Sequence, residues 1–339
     1  MVRKIKKSIQ KLKNQGGLPP AYMAGNPWLA AGVTSVVYPC LFKGQPAIKK
    51  ECRNDGGTVA RDTFLHDLRV HRALLNIQRE CSTCSTPRST RSKRSTGRPK
   101  SHSAATDVDV ARVPEIYNFS DRHVVMERLS GTVHYLMVNT ESAARRRRVA
   151  VRVMRQLSAL LARLQRRCQF LHRDLHASNV MYTVMDRKSE WNCPVSRLQF
   201  YLIDFGYSQM RWRKKLLFIR PILHLERLQR RLTYDRRFNS KHDLTTLVLC
   251  MRDYFGEDAS DVPRFLADIL EQFFKCALRS RAYTVEGRDV LNIRRPSLGF
   301  NPGGATEPPT FWFAYGATAH FRSLCATPRF VLDRTQKIK

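Results

Sequence analysis

FLHRDLHASNVMY, residues 170–182, places two histidines, an arginine, an aspartate and an asparagine between blocks of apolar residues. Buried polar groups need hydrogen-bond partners. A loop of this composition between two core elements must therefore turn its polar side chains together into a site. The flanking sequence fits that reading. Val149, Val153, Leu157, Leu160, Leu161 and Leu164 recur at helical spacing and predict a long helix, starting near Glu141, that leads into the loop. YLIDFG, residues 201–206, predicts a buried strand ending in an aspartate.

Further from the loop, VTSVVYPCLF (33–42) and PAIKKE (46–51) are β-branched or aromatic runs joined by a Lys-Gly-Gln-Pro turn. TVARDTFLHDLRVHRALLNI (58–77) spaces Phe64, Leu68, Leu74 and Leu75 as a helical stripe, and VPEIYNF and HVVMERL predict two more strands. The expected order is strand, strand, strand, helix, strand, strand. A mainly helical remainder follows, including KHDLTTLVLCMRDYF (241–255) and FLADILEQFFKCAL (265–278). The architecture is α+β, a small β-rich lobe preceding a larger helical one. Its expected parts are a basic arm (1–25), an N-terminal lobe (26–127), a C-terminal lobe (128–290) and a tail of unassigned role (291–339). Residues 81–106 hold 12 Ser or Thr, six basic residues and two prolines, and read as a disordered insert. Cys81 and Cys84 within it have no second ligand pair at zinc spacing, so they read as ordinary thiols.

The 339 residues carry 60 Lys or Arg against 28 Asp or Glu, a formal charge of +32. Anionic partners follow from that sign: nucleotide phosphates, acidic protein surfaces, or nucleic acid met by the basic arm and the insert. The nine scattered cysteines and the absence of an apolar leader fit a reducing, intracellular setting, cytoplasm or nucleus. No run approaches the roughly 18 apolar residues of a membrane helix, so no membrane association is expected.

His172-Arg173-Asp174-Leu175 with Asn179, followed by Asp204-Phe205-Gly206, matches H-R-D-L-x-x-x-N and D-F-G in that order. Together with Ala47-Ile48-Lys49 upstream, these residues resemble the protein kinase superfamily over roughly residues 26–280. The resemblance implies ATP and Mg²⁺ as cofactors. It assigns Asp174 as the carboxylate facing the acceptor hydroxyl, Asn179 and Asp204 as metal ligands, Arg173 as a brace for the activation segment and His172 as a packed structural residue. Lys49 completes the A-x-K form, lies 12 residues after Val37 and is expected on the α- and β-phosphates, with Lys50 turned to the opposite face of the strand. Asp67 stands where the family places the partner Glu. Asp243 stands where it places an aspartate that anchors the catalytic loop. Val37 and Ala47 would pack on adenine, Met126 would close the back of the pocket, and the backbone of Glu127 to Leu129 would meet the adenine edge.

The chain also departs from the family pattern. The phosphate-covering loop has Ala30, Gly32 and Ser35 at its three glycine positions, leaving only Gly32 without a Cβ. His176 stands where Ser/Thr-specific protein kinases usually carry Lys, and H-x-D-x-H-x-x-N forms also occur in kinases of small molecules. No A-P-E follows D-F-G. Met210–Arg237 instead has ten basic residues against two acids, which predicts attraction of acidic protein substrates and argues against control by phosphorylation of that segment. The 25 residues from Asn179 to Asp204 predict a surface hairpin extension. Irregular motifs and a large insert resemble the divergent protein kinases of large DNA viruses, which implies work in a host cell. The leading reading is a Ser/Thr protein kinase. A nucleotide-binding pseudokinase, a small-molecule phosphotransferase and a nucleic-acid binder on a kinase frame are the alternatives.

Overall fold

The computed structural model describes residues 30–31, 34–53, 57–84, 110–185, 193–218, 242–252, 254–255, 284–285 and 288–289. Among them, strands β1 (Ala30–Ala31), β2 (Ser35–Phe42), β3 (Gln45–Cys52), β4 (Ile116–Phe119) and β5 (His123–Glu127) form one antiparallel sheet in the order β1-β2-β3-β5-β4. Alternation of apolar residues along β3 and β5 gives the sheet a buried face. Helix α1 (Gly57–Cys84) covers it, clustering Phe64 and Leu68 with Val124 and Met126, and Ile48 and Cys52 pack at the edge of that cluster. Lys43 and Gly44 form the β2–β3 turn at φ 48° and 81°. Two-residue hairpin turns that follow the strand twist need left-handed backbone at both positions, which Gly44 adopts at no steric cost. The turn is thus tighter than the expected Lys-Gly-Gln-Pro, and Gln45 and Pro46 already pair with Phe42 and Leu41. Helix α1 also runs four residues into the stretch expected to be a disordered insert, ending at Cys84, while residues 85–109 lie outside the described set.

The second lobe is built around one long helix. After β6 (Gly131–Thr132) and α2 (Val133–Val138), helix α3 spans Ala143–Cys168. Ser142 caps its start by accepting the Arg145 N–H, and Gln169 ends it in left-handed backbone at φ 50°. Val149, Val153, Leu157, Leu160, Leu161 and Leu164 are all buried, as the spacing predicts. Full burial of each such side chain contributes about 1.5–3 kcal/mol, enough for this stripe to fix the helix in the larger core cluster. Strands β7 (Val180–Val184) and β8 (Leu198–Leu202) pair antiparallel beneath it. Residues 186–192 of the connection between them, where the surface hairpin extension is expected, lie outside the described residues. Cys193 on its returning arm is buried, and its carbonyl accepts the Arg145 guanidinium at 2.8 Å.

Beyond β8 come β9 (Met210–Trp212), β10 (Lys215–Leu217) and helix α4 (His242–Arg252). The predicted helix 265–278, the arm and residues 291–339 fall outside the described residues. Among those described, no helix is long and apolar enough to cross a membrane. The two-lobed α+β arrangement is the kinase-like fold read from the sequence.

Candidate active site

The loop 170–179 is held from below by Asp243, a completely buried carboxylate in the first turn of α4. Its oxygens accept the backbone N–H groups of His172 (2.8 Å) and Arg173 (2.9 Å). These bonds support Arg173 at φ 68°, a left-handed conformation that costs a non-glycine residue about 1 kcal/mol or more. His172 is fully buried. Its Nε2 meets the Ile203 carbonyl at 2.8 Å, and its ring packs against Phe205 and Phe170. The Arg173 guanidinium donates to the Gln209 side chain and lies 4.7 Å from the centre of the Phe218 ring, bracing the segment that follows D-F-G.

Anchored in this way, the loop presents Asp174 and Asn179 together. The Asn179 Nδ2 donates to the Asp174 carbonyl (2.8 Å) and to its carboxylate (3.1 Å). With its nitrogen so used, Asn179 keeps its amide oxygen for another partner. The Asp174 side chain is 32% exposed, so its carboxylate remains open to an incoming group. Although burial opposes the charge, the nearby His176 imidazole holds Asp174 below the usual carboxylate range, aided by His172 and Asn179. The reciprocal effect raises His176: burial disfavours its charge, and the Asp174 carboxylate 3.8 Å away outweighs that. Asp204 adopts φ 62° and is half exposed. Tyr207 beside these carboxylates is pushed up to about 12, by burial first and then by Asp174 and Asp204.

The cation of the site is Lys50, which corrects the expectation for Lys49. Lys50 Nζ lies 2.5 Å from Asp67 and 3.4 Å from Asp204, whereas Lys49 turns to the other face of the sheet and pairs with Glu51 at 2.7 Å. Strand parity is the cause. Ile48, Lys50 and Cys52 share the face covered by α1, and cross-strand register adds Val37 (opposite Lys50) and Met126 (opposite Ile48) to it. Ala47 lies on the opposite face, opposite Cys40 and Glu127, so Ile48 takes the place expected for Ala47 beside Val37. The sequence signal is present but local: Ile48 and Cys52 are the apolar residues two positions to either side of Lys50. Gly32 lies outside the described residues.

Asp67 does more than pair. One carboxylate oxygen accepts Lys50 while the other accepts the Phe205 N–H at 2.9 Å, so a single side chain ties β3 and α1 to the D-F-G backbone. Burial would lower the Lys50 pKa, but the Asp204 and Asp67 carboxylates outweigh it and hold the ammonium charged. Lys50 in turn overcomes the effect of burial on Asp67 and lowers its pKa. Two histidines that the motif reading passed over reinforce the contact. His66 Nε2 meets the Ser208 carbonyl at 2.8 Å, and the His71 ring packs edge-on to Phe205 with centroids 5.3 Å apart. Gly206 completes it, since a Cβ there would lie 3.0 Å from the Thr63 methyl. Met126 is buried behind the site. Glu127 donates its N–H to the Glu115 carbonyl (2.8 Å), and Leu129 is buried.

Residues 96–229 match the family model described as the ABC1 atypical kinase-like domain. The matched span takes in Asp174, Asn179 and Asp204 and begins after Lys50 and Asp67. No curated protein matches the chain.

Proposed function

We propose that this chain is an ATP-dependent protein kinase that phosphorylates Ser or Thr hydroxyls. The observation that carries the reading is the continuous charge relay Asp204–Lys50–Asp67–Phe205 N–H, set opposite an accessible Asp174. Phosphoryl transfer needs a cation on the phosphates, oxygen ligands for Mg²⁺ and a carboxylate at the nucleophile. Lys50 supplies the first. Asp204 and the free amide oxygen of Asn179 are the hard oxygen donors that suit Mg²⁺, which when bound would neutralise phosphate charge. Asp174, held ionised, orients the acceptor hydroxyl and takes its proton. Val37, Ile48 and Met126 offer the apolar walls for adenine, and the backbone between Glu127 and Leu129 faces its edge. His176 beside Asp174 favours a second reading, a small-molecule acceptor. Phosphoamino-acid analysis of labelled protein substrates separates the two: phosphoserine or phosphothreonine is expected, and label confined to a low-molecular-weight acceptor would replace this proposal.

Acidic flanks around the acceptor are a further part of the reading. Arg213, Lys214 and Lys215 are exposed at the β9–β10 turn, with Arg213 and Lys214 at φ 47° and 67°. Neutralising all three is expected to raise KM for an acidic-flanked peptide about 3–10-fold, with little effect on a neutral one, as measured by peptide-array kinetics. Unchanged preference would remove the charge argument.

A further inference from the structure

One side chain joins three segments beside β8. Tyr201 of that strand is buried, and its hydroxyl donates to Glu127 Oε1 at 3.2 Å. Glu127 ends β5. Its other carboxylate oxygen accepts the Glu115 N–H at 3.2 Å, and its own N–H returns to the Glu115 carbonyl at 2.8 Å. The chain leading to Glu115 is fixed to the same strand by its backbone. The Arg112 N–H donates to the Phe200 carbonyl (2.9 Å), and the Arg112 carbonyl accepts the Leu202 N–H (2.8 Å). Asp204 follows Tyr201 by three residues. The end of β5, the entry to β4 and the strand that leads to Asp204 therefore meet at one carboxylate.

Holding a carboxylate here has a cost. Glu127 is half-buried, and the acid of Glu115 stands near it, itself paired with Arg79 at 2.5 Å. Burial, with the Glu115 charge adding to it, pushes the Glu127 carboxyl above the usual carboxylate range, against the bonds from the Glu115 N–H and Tyr201 and the charge of Arg112. A residue that served only to end a strand would be less costly uncharged. What the carboxylate supplies is two charge-assisted bonds from one side chain, one to the chain before β4 and one to β8 in the second lobe.

We infer that Glu127 is a positioning residue for the nucleotide. The inference rests on the cleft being an ATP site. In that reading the backbone from Glu127 to Leu129 faces the adenine edge, and the Tyr201 bond ties this backbone to the strand of Asp204. One contact then sets both purine recognition and the placement of a metal ligand. Adenine and guanine present different donors and acceptors, so a backbone held in place separates them and a loosened one does so less well.

The test measures binding of ATP and of GTP, each with Mg²⁺, to the full chain by calorimetry. Tyr201→Phe removes the hydroxyl and keeps the ring. It is expected to weaken ATP binding about 3–10-fold, the range for one hydrogen bond to a charged group, and to narrow the preference for ATP over GTP by a similar factor. Glu127→Leu should lose at least as much, and Tyr201→Phe should add little to it, because both remove the same contact. Glu127→Gln should stay within about twofold of wild type, since its amide can accept the Glu115 N–H and donate to the Tyr201 oxygen. If Glu127→Leu fails to fold, Tyr201→Phe and Glu127→Gln carry the comparison. Urea titration of the same proteins supplies the contrast. Lower stability with unchanged ATP affinity and ATP-to-GTP ratio would reduce the pair to a structural role and overturn the inference, as would additive losses or equal binding of the two nucleotides by wild type. Because the readout is binding, a wild type that binds ATP without transferring phosphate would count against the transfer reading alone, and one that binds neither nucleotide would remove both.

Discussion

Lys50→Met is expected to lower phosphate transfer about 10²–10³-fold, and Lys49→Met to leave it within a few-fold of wild type, as read by steady-state kinetics with labelled ATP. The contrast follows from where the two ammonium groups end. Lys50 lies between the Asp67 and Asp204 carboxylates, with only 14% of its side chain exposed. Lys49 sits in a more open pair with Glu51, of a kind worth about 0–1 kcal/mol. Removing Lys50 also strands a buried carboxylate at Asp67, a defect of about 3–5 kcal/mol, so part of the loss would come from a loosened α1. The double change Lys50→Met with Asp67→Leu separates the contributions. It should recover stability in urea titrations but not transfer. Equal losses at Lys49 and Lys50 would mean that the strand register drawn for β3 is wrong.

Asp243→Ala is expected to cost stability as well as transfer. Its buried carboxylate accepts the N–H groups of His172 and Arg173, and a hydrogen bond to a charged group contributes about 1.5–3 kcal/mol. The loss is therefore expected at about 3 kcal/mol or more, with Asp243→Asn losing about half, because the amide keeps one acceptor oxygen. Released from Asp243, Arg173 would leave its left-handed conformation and Asp174 would lose its placement, so transfer should fall with stability. Chemical denaturation of the purified variants checks the ordering. An Asp243→Ala protein as stable as wild type would show that the loop is held by other contacts.

Much of this centre is legible in the sequence because its parts are local. The apolar period of Val149–Leu164, the polar cluster of 170–182 and the YLIDFG run each lie within a short stretch of chain. What is not legible depends on parity and on distant contacts. Choosing between Lys49 and Lys50 needs to know which face of β3 meets α1. The A-x-K frame pointed to Lys49, whereas the apolar flanks Ile48 and Cys52 point to Lys50. The same one-residue slip exchanges Ala47 for Ile48 in the cleft. His66 and His71 carry no motif, and their roles arise only because α1 packs against Phe205 and Ser208, far along the chain. Asp67 was readable as a partner acid, but its second bond, to the Phe205 N–H, was not.

The central claim is that Asp174 directs transfer of phosphate from ATP. Its most direct test is Mg²⁺-dependent incorporation of labelled phosphate into a basic and an acidic protein, comparing wild type with Asp174→Asn, with nucleotide binding measured in parallel. Incorporation by wild type, a fall of at least about 10²-fold in the variant and retained ATP binding are the predicted results. Nucleotide binding by wild type without any transfer, or transfer that persists in Asp174→Asn, would contradict the account.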